Sequence, residues 1–449
     1  MGALMKTLTL AGAVTVALAQ ERQVTSAAHG HLLTNVNVWS PDSRWIVYDV
    51  RARDSVFDGT RIEQVNVETG EIQRLYEAKH GAACGVATYH PREWKVVFIH
   101  GPEHPSPEWS YGASRRRGAI VDVRLPGEAR PLDAMNYAPP FTPGALRGGS
   151  HVHVFSPDGQ QVSFTYEDEV LARLEAAGQG SDRDLNQRNI GVSVPAPGEG
   201  GVRVARTHPR NHDGDYFSVV VTRTVSAPRP GSDEISRAYE EGWVMGGDRR
   251  RAIAFLGDVV APNGRAHAEV FIVDLPRNLT VAGDDPLAGT EARRPAPPRG
   301  VVQRRLTFTA DRKFPGIATT PRHWLRASPD GAVIAFLMKD DAGIVQLWSV
   351  SSRGGDLRQI TRNTTDIASA FTWSSDATAI AHVMDGSVCA TDVASGRTRR
   401  LTERRTGVDA PEPFAWVFSP DGRQIAYTRR VTSGGVTCAQ IFVVPFSTP

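Results

Sequence analysis

The tetrapeptide Ser-Pro-Asp-Gly stands intact at 156–159, 328–331 and 419–422, each time after an apolar-aromatic run and before a β-branched one. Altered copies occupy Ser40-Pro41-Asp42-Ser43, His90-Pro91-Arg92-Glu93 and Ser374-Ser375-Asp376-Ala377. Pro presets φ for the second position of a turn, Asp accepts a local backbone hydrogen bond, and Gly tolerates φ > 0. Each copy is therefore a tight hairpin turn. The copies at 328, 374 and 419 lie 46 and 45 residues apart, the length of one four-stranded propeller blade. The expected fold is all-β, a seven-bladed β-propeller.

Six blades are marked by the turns at 40, 90, 156, 328, 374 and 419. The fourth in chain order falls within 216–309, with an inner strand at 216–224 and further strands at 252–256, 269–274 and 304–309. An insertion at 226–250 replaces its turn. Ser232 as N-cap, with Asp233 and Glu234 in the first turn, predicts a short helix over 233–243 on one rim. Segments at about 170–188 and 276–300 are polar, Gly/Pro-rich loops. The last blade offers three strands, 414–418, 424–428 and 440–445. An open edge there would recruit other chains. Residues 22–26 resemble the outer strand at 305–309, so they are expected to supply the fourth strand and close the ring.

Residues 1–19 fit a secretory signal: Lys6, an uncharged apolar stretch at 8–19, and Ala17-Leu18-Ala19 as a small-x-small cleavage site. That stretch is too short to span a bilayer. The mature chain, 20–449, is then a single propeller in the periplasm or outside the cell. It is cytoplasmic if translation starts near Arg22. Lys and Arg total 51 against 49 Asp and Glu, which gives no reason to expect nucleic acid as partner. Arg115-Arg116-Arg117 reads as a solvated loop. Cys84, Cys389 and Cys438 have no zinc spacing, and the last two read as inert core thiols.

Aligning the inner strands on their turns shows what faces the channel. One residue before the turn stand Trp39, Tyr89, Phe155, Trp373 and Phe418, wedges between blades. The polar channel-lining positions are His31, Asn35, Asn37, His151, His153 and His323. Residues at i and i+2 share a strand face. His151 and His153 could therefore hold one divalent ion (Mn, Zn, Fe or Ca), with His323, His31, His212 or His100 as third ligand. Taken alone, such a pair more often hydrogen-bonds backbone groups in the channel or at a blade junction. Arg147, ahead of Gly148-Gly149, could fork onto a carboxylate. The segment 148–152 lacks the second glycine of a nucleophile elbow, and there is no phosphate loop or dinucleotide fingerprint.

The turns, together with outer strands such as Arg305-Leu306-Thr307 and Arg400-Leu401-Thr402, resemble TolB/WD40-like propeller repeats. More closely, the chain is similar to the YidR-type family of such propellers. The likeness lies in His31-Leu32-Leu33-Thr34-Asn35, 147–153, Gly231-Ser232-Asp233-Glu234, 239–243, 301–308 and Pro321-Arg322-His323-Trp324. It implies the fold and carries no activity with it. More distantly, the chain resembles oligogalacturonate lyases, propellers with a divalent metal in the channel. His151 and His153 match their His-x-His, whereas Gly148 stands where that family has Gln. This resemblance implies a metal-dependent lyase for acidic sugars, with metal on His151 and His153 and Arg147 steadying the sugar acid; the channel alignment offers His323 as the further metal ligand. The leading expectation is a propeller, a monomer with no integral membrane segment, that binds a ligand or protein partner at its channel mouth. The alternative is the lyase.

Overall fold

A computed structural model describes residues 20–178, 183–247 and 250–447. Its strands form a seven-bladed β-propeller. Six blades are four-stranded sheets. Blade 1 pairs Trp45–Asp49, Arg61–Asn66 and Ile72–Glu77, and its innermost run touches them through the bridges Leu32↔Asp49 and Trp39↔Ile46. The apolar core is divided among clusters between and within blades, as expected where each sheet buries both faces against neighbours. Among the described residues, no helix is long and apolar enough to cross a membrane.

The repeated turn is a closed hydrogen-bond unit. In blade 5 the Ser328 hydroxyl donates to Asp330 and accepts from the Val333 N–H at 3.2 Å, while Asp330 accepts from the Ala332 N–H at 3.0 Å. Gly331 sits at φ +69°, which a side chain would strain. Blades 3, 6 and 7 repeat the wiring through Ser156, Ser374 and Ser419. In blade 2, His90 substitutes for Ser. Its Nδ1 accepts from the Arg92 and Glu93 N–H groups at 3.1 and 2.8 Å, and its Nε2 donates to Gly159 O at 3.1 Å.

Blade 4 departs from the expectation. Tyr216–Val220 is the outer strand of blade 3, paired with Asn189–Pro195. The inner strand of blade 4 is Ala238–Met245, paired with Arg251–Val260, where the sequence predicts a helix over 233–243. Nearly all of this segment is buried, so it has no solvated face to offer a surface helix, and Gly242 disfavours one further. The α-helix among the described residues is Glu169–Ala176, in the segment expected to be a loop, capped by Asp168 on the Leu171 N–H at 2.9 Å.

The ring closes as expected. Arg22–Gln23 pairs antiparallel with Val436–Pro445, and Val24 N–H donates to Ile441 O at 2.8 Å. Thr25 Oγ1 donates to Gln440 Oε1 at 2.8 Å and accepts from the Ile441 N–H at 2.9 Å. Residues 1–19, the expected signal, lie outside the described residues. Val24 and Thr25 are buried. Removing residues 20–25 should therefore cost about 2–4 kcal/mol in urea unfolding, from one lost apolar side chain and a few hydrogen bonds. An unchanged unfolding midpoint would contradict this closure.

Candidate functional site in the channel

The inner strands are not regular. Asn37, Val86, Val152 and Glu240 all have φ between +51° and +58°. In blades 2, 3 and 4 these residues mark β-bulges, where pairing jumps by an extra residue. In Gly148–Phe155, His151 pairs with Thr165 and Val154 with Ser163, so Val152 and His153 together oppose Phe164. The i, i+2 rule fails at this point, and His151 and His153 leave one another's face.

His153 turns into the junction between blades 2 and 3. Its Nε2 donates to Ser150 Oγ at 3.0 Å, and Ser150 in turn donates to Asp133 at 2.6 Å. Burial alone would raise the Asp133 carboxyl, but His153, Ser150 and the Gly118 N–H hold it below the usual range. His323 spends both ring nitrogens on backbone: Nδ1 donates to Pro321 O at 3.2 Å and Nε2 accepts from the Leu337 N–H at 3.1 Å. Burial lowers it to about 4. In blade 6 Ser369 does the same job for the Val383 N–H at 2.7 Å. His323 is thus a strand lock. Arg147 is buried against Asp168 at 2.7 Å, reaches Thr290 O, and lies over Phe141. It fixes the Glu169–Ala176 helix to blade 3.

His31 donates from Nδ1 to Ala439 O at 3.1 Å and stacks on His29, and burial lowers it to about 4. Asn37 lines a cavity of about 270 Å³ at the mouth on the turn face, with Trp39, Tyr89 and Trp373. The three histidines expected as one metal set are therefore not assembled as ligands. Among the described residues, no group of three or more His, Cys, Asp or Glu side chains is placed to hold a metal ion. Cys84, Cys389 and Cys438 are buried free thiols, with Cys389 pushed up by burial to about 12.

A different cluster occupies the channel. Thr165, opposite His151, donates to Glu241 Oε2 at 3.0 Å, and Glu241 Oε1 is buried without a partner. Burial, with the neighbouring Glu240 charge, pushes Glu241 up to about 7. Arg326 crosses from blade 5 to Asn35 of blade 1, and burial lowers it to about 10 against the pull of Glu241 and Glu240. Arg322 pairs with Glu240 at 2.8 Å, and Arg188 with Glu167 at 2.6 Å. His151 sits among them with Nδ1 buried and unpartnered. Burial, then the charges of Arg116, Arg188 and Arg322, hold it well below the usual histidine range. A neutral imidazole ringed by guanidiniums repels a cation and favours an anion.

Glu240 and Glu241 lay hidden in the sequence because their strand carries no Ser-Pro-Asp-Gly turn. Trp243 was the available signal. Its indole N–H donates to Val154 O of blade 3 at 2.9 Å, as Trp373 donates to Arg326 O at 3.1 Å and Trp39 to Val417 O at 2.9 Å.

The uncharacterised protein YidR of Escherichia coli K12 is 50% identical over 409 residues, covering 90% of this chain and 94% of its own. The chain belongs to the YidR family. A family model described as a protein of unknown function, DUF3748, matches residues 83–212, which span blade 2 and most of blade 3. Two solved oligogalacturonate lyases share the fold. One, in complex with manganese, has 12% identity and a TM-score of 0.55 over 96% of this chain and 93% of its own. The other, from Vibrio parahaemolyticus, has 9% identity and a TM-score of 0.56 over 96% and 94%.

Glu241 gives a signed pH test. Its carboxyl is raised in the folded chain, so its contribution is full below the unfolded value near 4.5 and is lost as pH rises towards about 7. The buried neutral histidines slope the other way, losing stability as pH falls from 6.5 towards 4. Wild type should therefore lose about 1–3 kcal/mol relative to Glu241→Gln between pH 4.5 and 7, with no further change above. A constant difference across that window would remove the buried, protonated carboxyl.

Proposed function

We propose that this propeller binds a carboxylate-bearing small molecule, such as a sugar acid, at the end of its channel away from the turns. The observation that carries this is His151, neutral and with an unpartnered Nδ1 among Arg116, Arg188 and Arg322. Four guanidiniums, counting Arg326, stand against Glu167, Glu240 and a Glu241 that is half protonated near neutrality. The excess is positive, and Arg322 is 44% exposed, able to meet a ligand from solvent. Guanidiniums fork onto carboxylates in a fixed plane, which selects the ligand by shape as well as charge.

A second reading is favoured by Glu241 alone. A carboxyl near 7 is a competent base at neutral pH. It could take the proton α to the ligand's carboxylate while a guanidinium holds that carboxylate, so that the bond to the β-oxygen breaks, a double bond forms between the α and β carbons, and the departing oxygen takes a proton from water. The fold common to the two lyases is compatible with this elimination. A metal-assisted version on His151, His153 and His323 does not fit these donors. His323 has no free nitrogen and His151 lies among cations.

Calorimetric titration with galacturonate and its short oligomers tests both readings. Binding should weaken at least tenfold in Arg322→Gln and be indifferent to chelator. No binding by any acidic sugar, or equal binding by the variant, would overturn the receptor. A conjugated product, seen by ultraviolet absorbance in wild type and absent in Glu241→Gln, would establish elimination.

The apolar segment at 8–19 supports export by the same chain. The mature protein isolated from the periplasm should then begin at Gln20, by mass spectrometry, leaving the closing strand whole. Intact Met1 there, or recovery solely from cytoplasm, would reject export.

A further inference from the structure

A second cleft, of about 240 Å³, opens on the face away from the turns, between the blade 2 segment 100–117 and the blade 3 excursion around 209–212. Arg115, Arg116, Arg117 and Arg210 all line it. Two of these guanidiniums are committed. Arg115 pairs with Glu169 at 2.9 Å and Arg210 with His104 O at 2.9 Å, and both lie over the Trp109 ring, at 5.0 and 5.8 Å. The run is therefore not the solvated loop its sequence suggests.

The other two are less fully matched. Arg117 heads the strand Arg117–Asp122, and its Nε is buried without a hydrogen bond. The nearest carboxylate, Glu103, stands 3.9 Å from its NH2 group and is itself 39% exposed. Arg116 has a buried, unpartnered Nε and donates only to Tyr111 Oη, at 3.0 Å. Burial lowers His100 and His212 to about 4, so these two add no charge. His100 donates to Gly101 O at 2.7 Å and accepts from Tyr76 Oη at 2.9 Å, and His212 donates from Nδ1 to Asp213 O at 3.0 Å. Leaving guanidinium N–H groups desolvated and unpaired is costly.

We infer that this cleft takes up a compact oxyanion, a phosphate or carboxylate group, on the free edges of Arg117 and Arg116. Arg115 and Arg210 both lie over the Trp109 ring and compete with a ligand ring for it. Size and lining therefore suit a small anion better than a nucleotide. Arg116 also belongs to the charge ring of His151, so the cleft adjoins the channel site and shares that residue with it, whereas Arg117 belongs to the cleft alone.

The test uses the full mature chain carrying Arg322→Gln, which disables the channel site. Inorganic phosphate and malonate are titrated separately by calorimetry. At least one should bind, and adding Arg117→Gln should weaken it tenfold or more with circular dichroism unchanged. If Arg117→Gln fails to fold, His212→Phe fills the cleft from a different segment and should give the same loss. Whether phosphate or malonate binds more tightly distinguishes the two sources of the oxyanion. Failure of both probes to bind the Arg322→Gln chain, or undiminished binding in the folded cleft variants, would overturn the inference and leave the channel proposal standing.

Discussion

The ring depends on one strand pairing across the whole length of the chain. Arg22–Gln23 and the following Val24 and Thr25 cover the free edge of Val436–Pro445, which otherwise exposes a row of unpaired amides and carbonyls. Across the same seam, Trp39 of blade 1 donates its indole N–H to Val417 O of blade 7. Only a closed ring makes seven inner strands converge. The Arg326–Asn35 contact, which spans the channel between blades 5 and 1, exists only because of that convergence.

Convergence has a local consequence. The inner strands adopt bulges at Val86, Val152 and Glu240, non-glycine residues held at positive φ. Such conformations cost on the order of 1–3 kcal/mol each and persist where the surroundings over-determine them. The bulge at Val152 sends His151 into the channel and His153 into the Asp133 network. The bulge at Glu240 lets neighbouring carboxyls serve separate partners, Arg322 and Thr165. Backbone irregularity thus decides which polar side chains meet.

Much of the architecture was legible because its signals are local. Ser-Pro-Asp-Gly turns, wedge aromatics and the closing strand follow from side-chain chemistry within a few residues. Blade 4 is disguised because Ser232-Asp233-Glu234 mimics a helix start, whereas Ser232 and Glu234 serve a loop turn beside Arg229. The site was less legible. Residue type made His153, His323 and Arg147 look like ligands, but His153 turns its Nε2 to Ser150, His323 spends both ring nitrogens on backbone, and Arg147 is anchored on Asp168. The residues that do gather, Glu241, Arg326 and the arginines around His151, come from blades far apart in sequence and share no motif.

An anion seated among these guanidiniums lies beside Glu241, and its charge must favour the protonated carboxyl. Calorimetry of galacturonate binding near pH 7, in buffers of different ionisation enthalpy, counts the protons taken up. Uptake of a fraction of a proton per ligand is expected, vanishing in Glu241→Gln. Binding with no proton uptake in wild type would contradict an anion site built around His151 and Glu241.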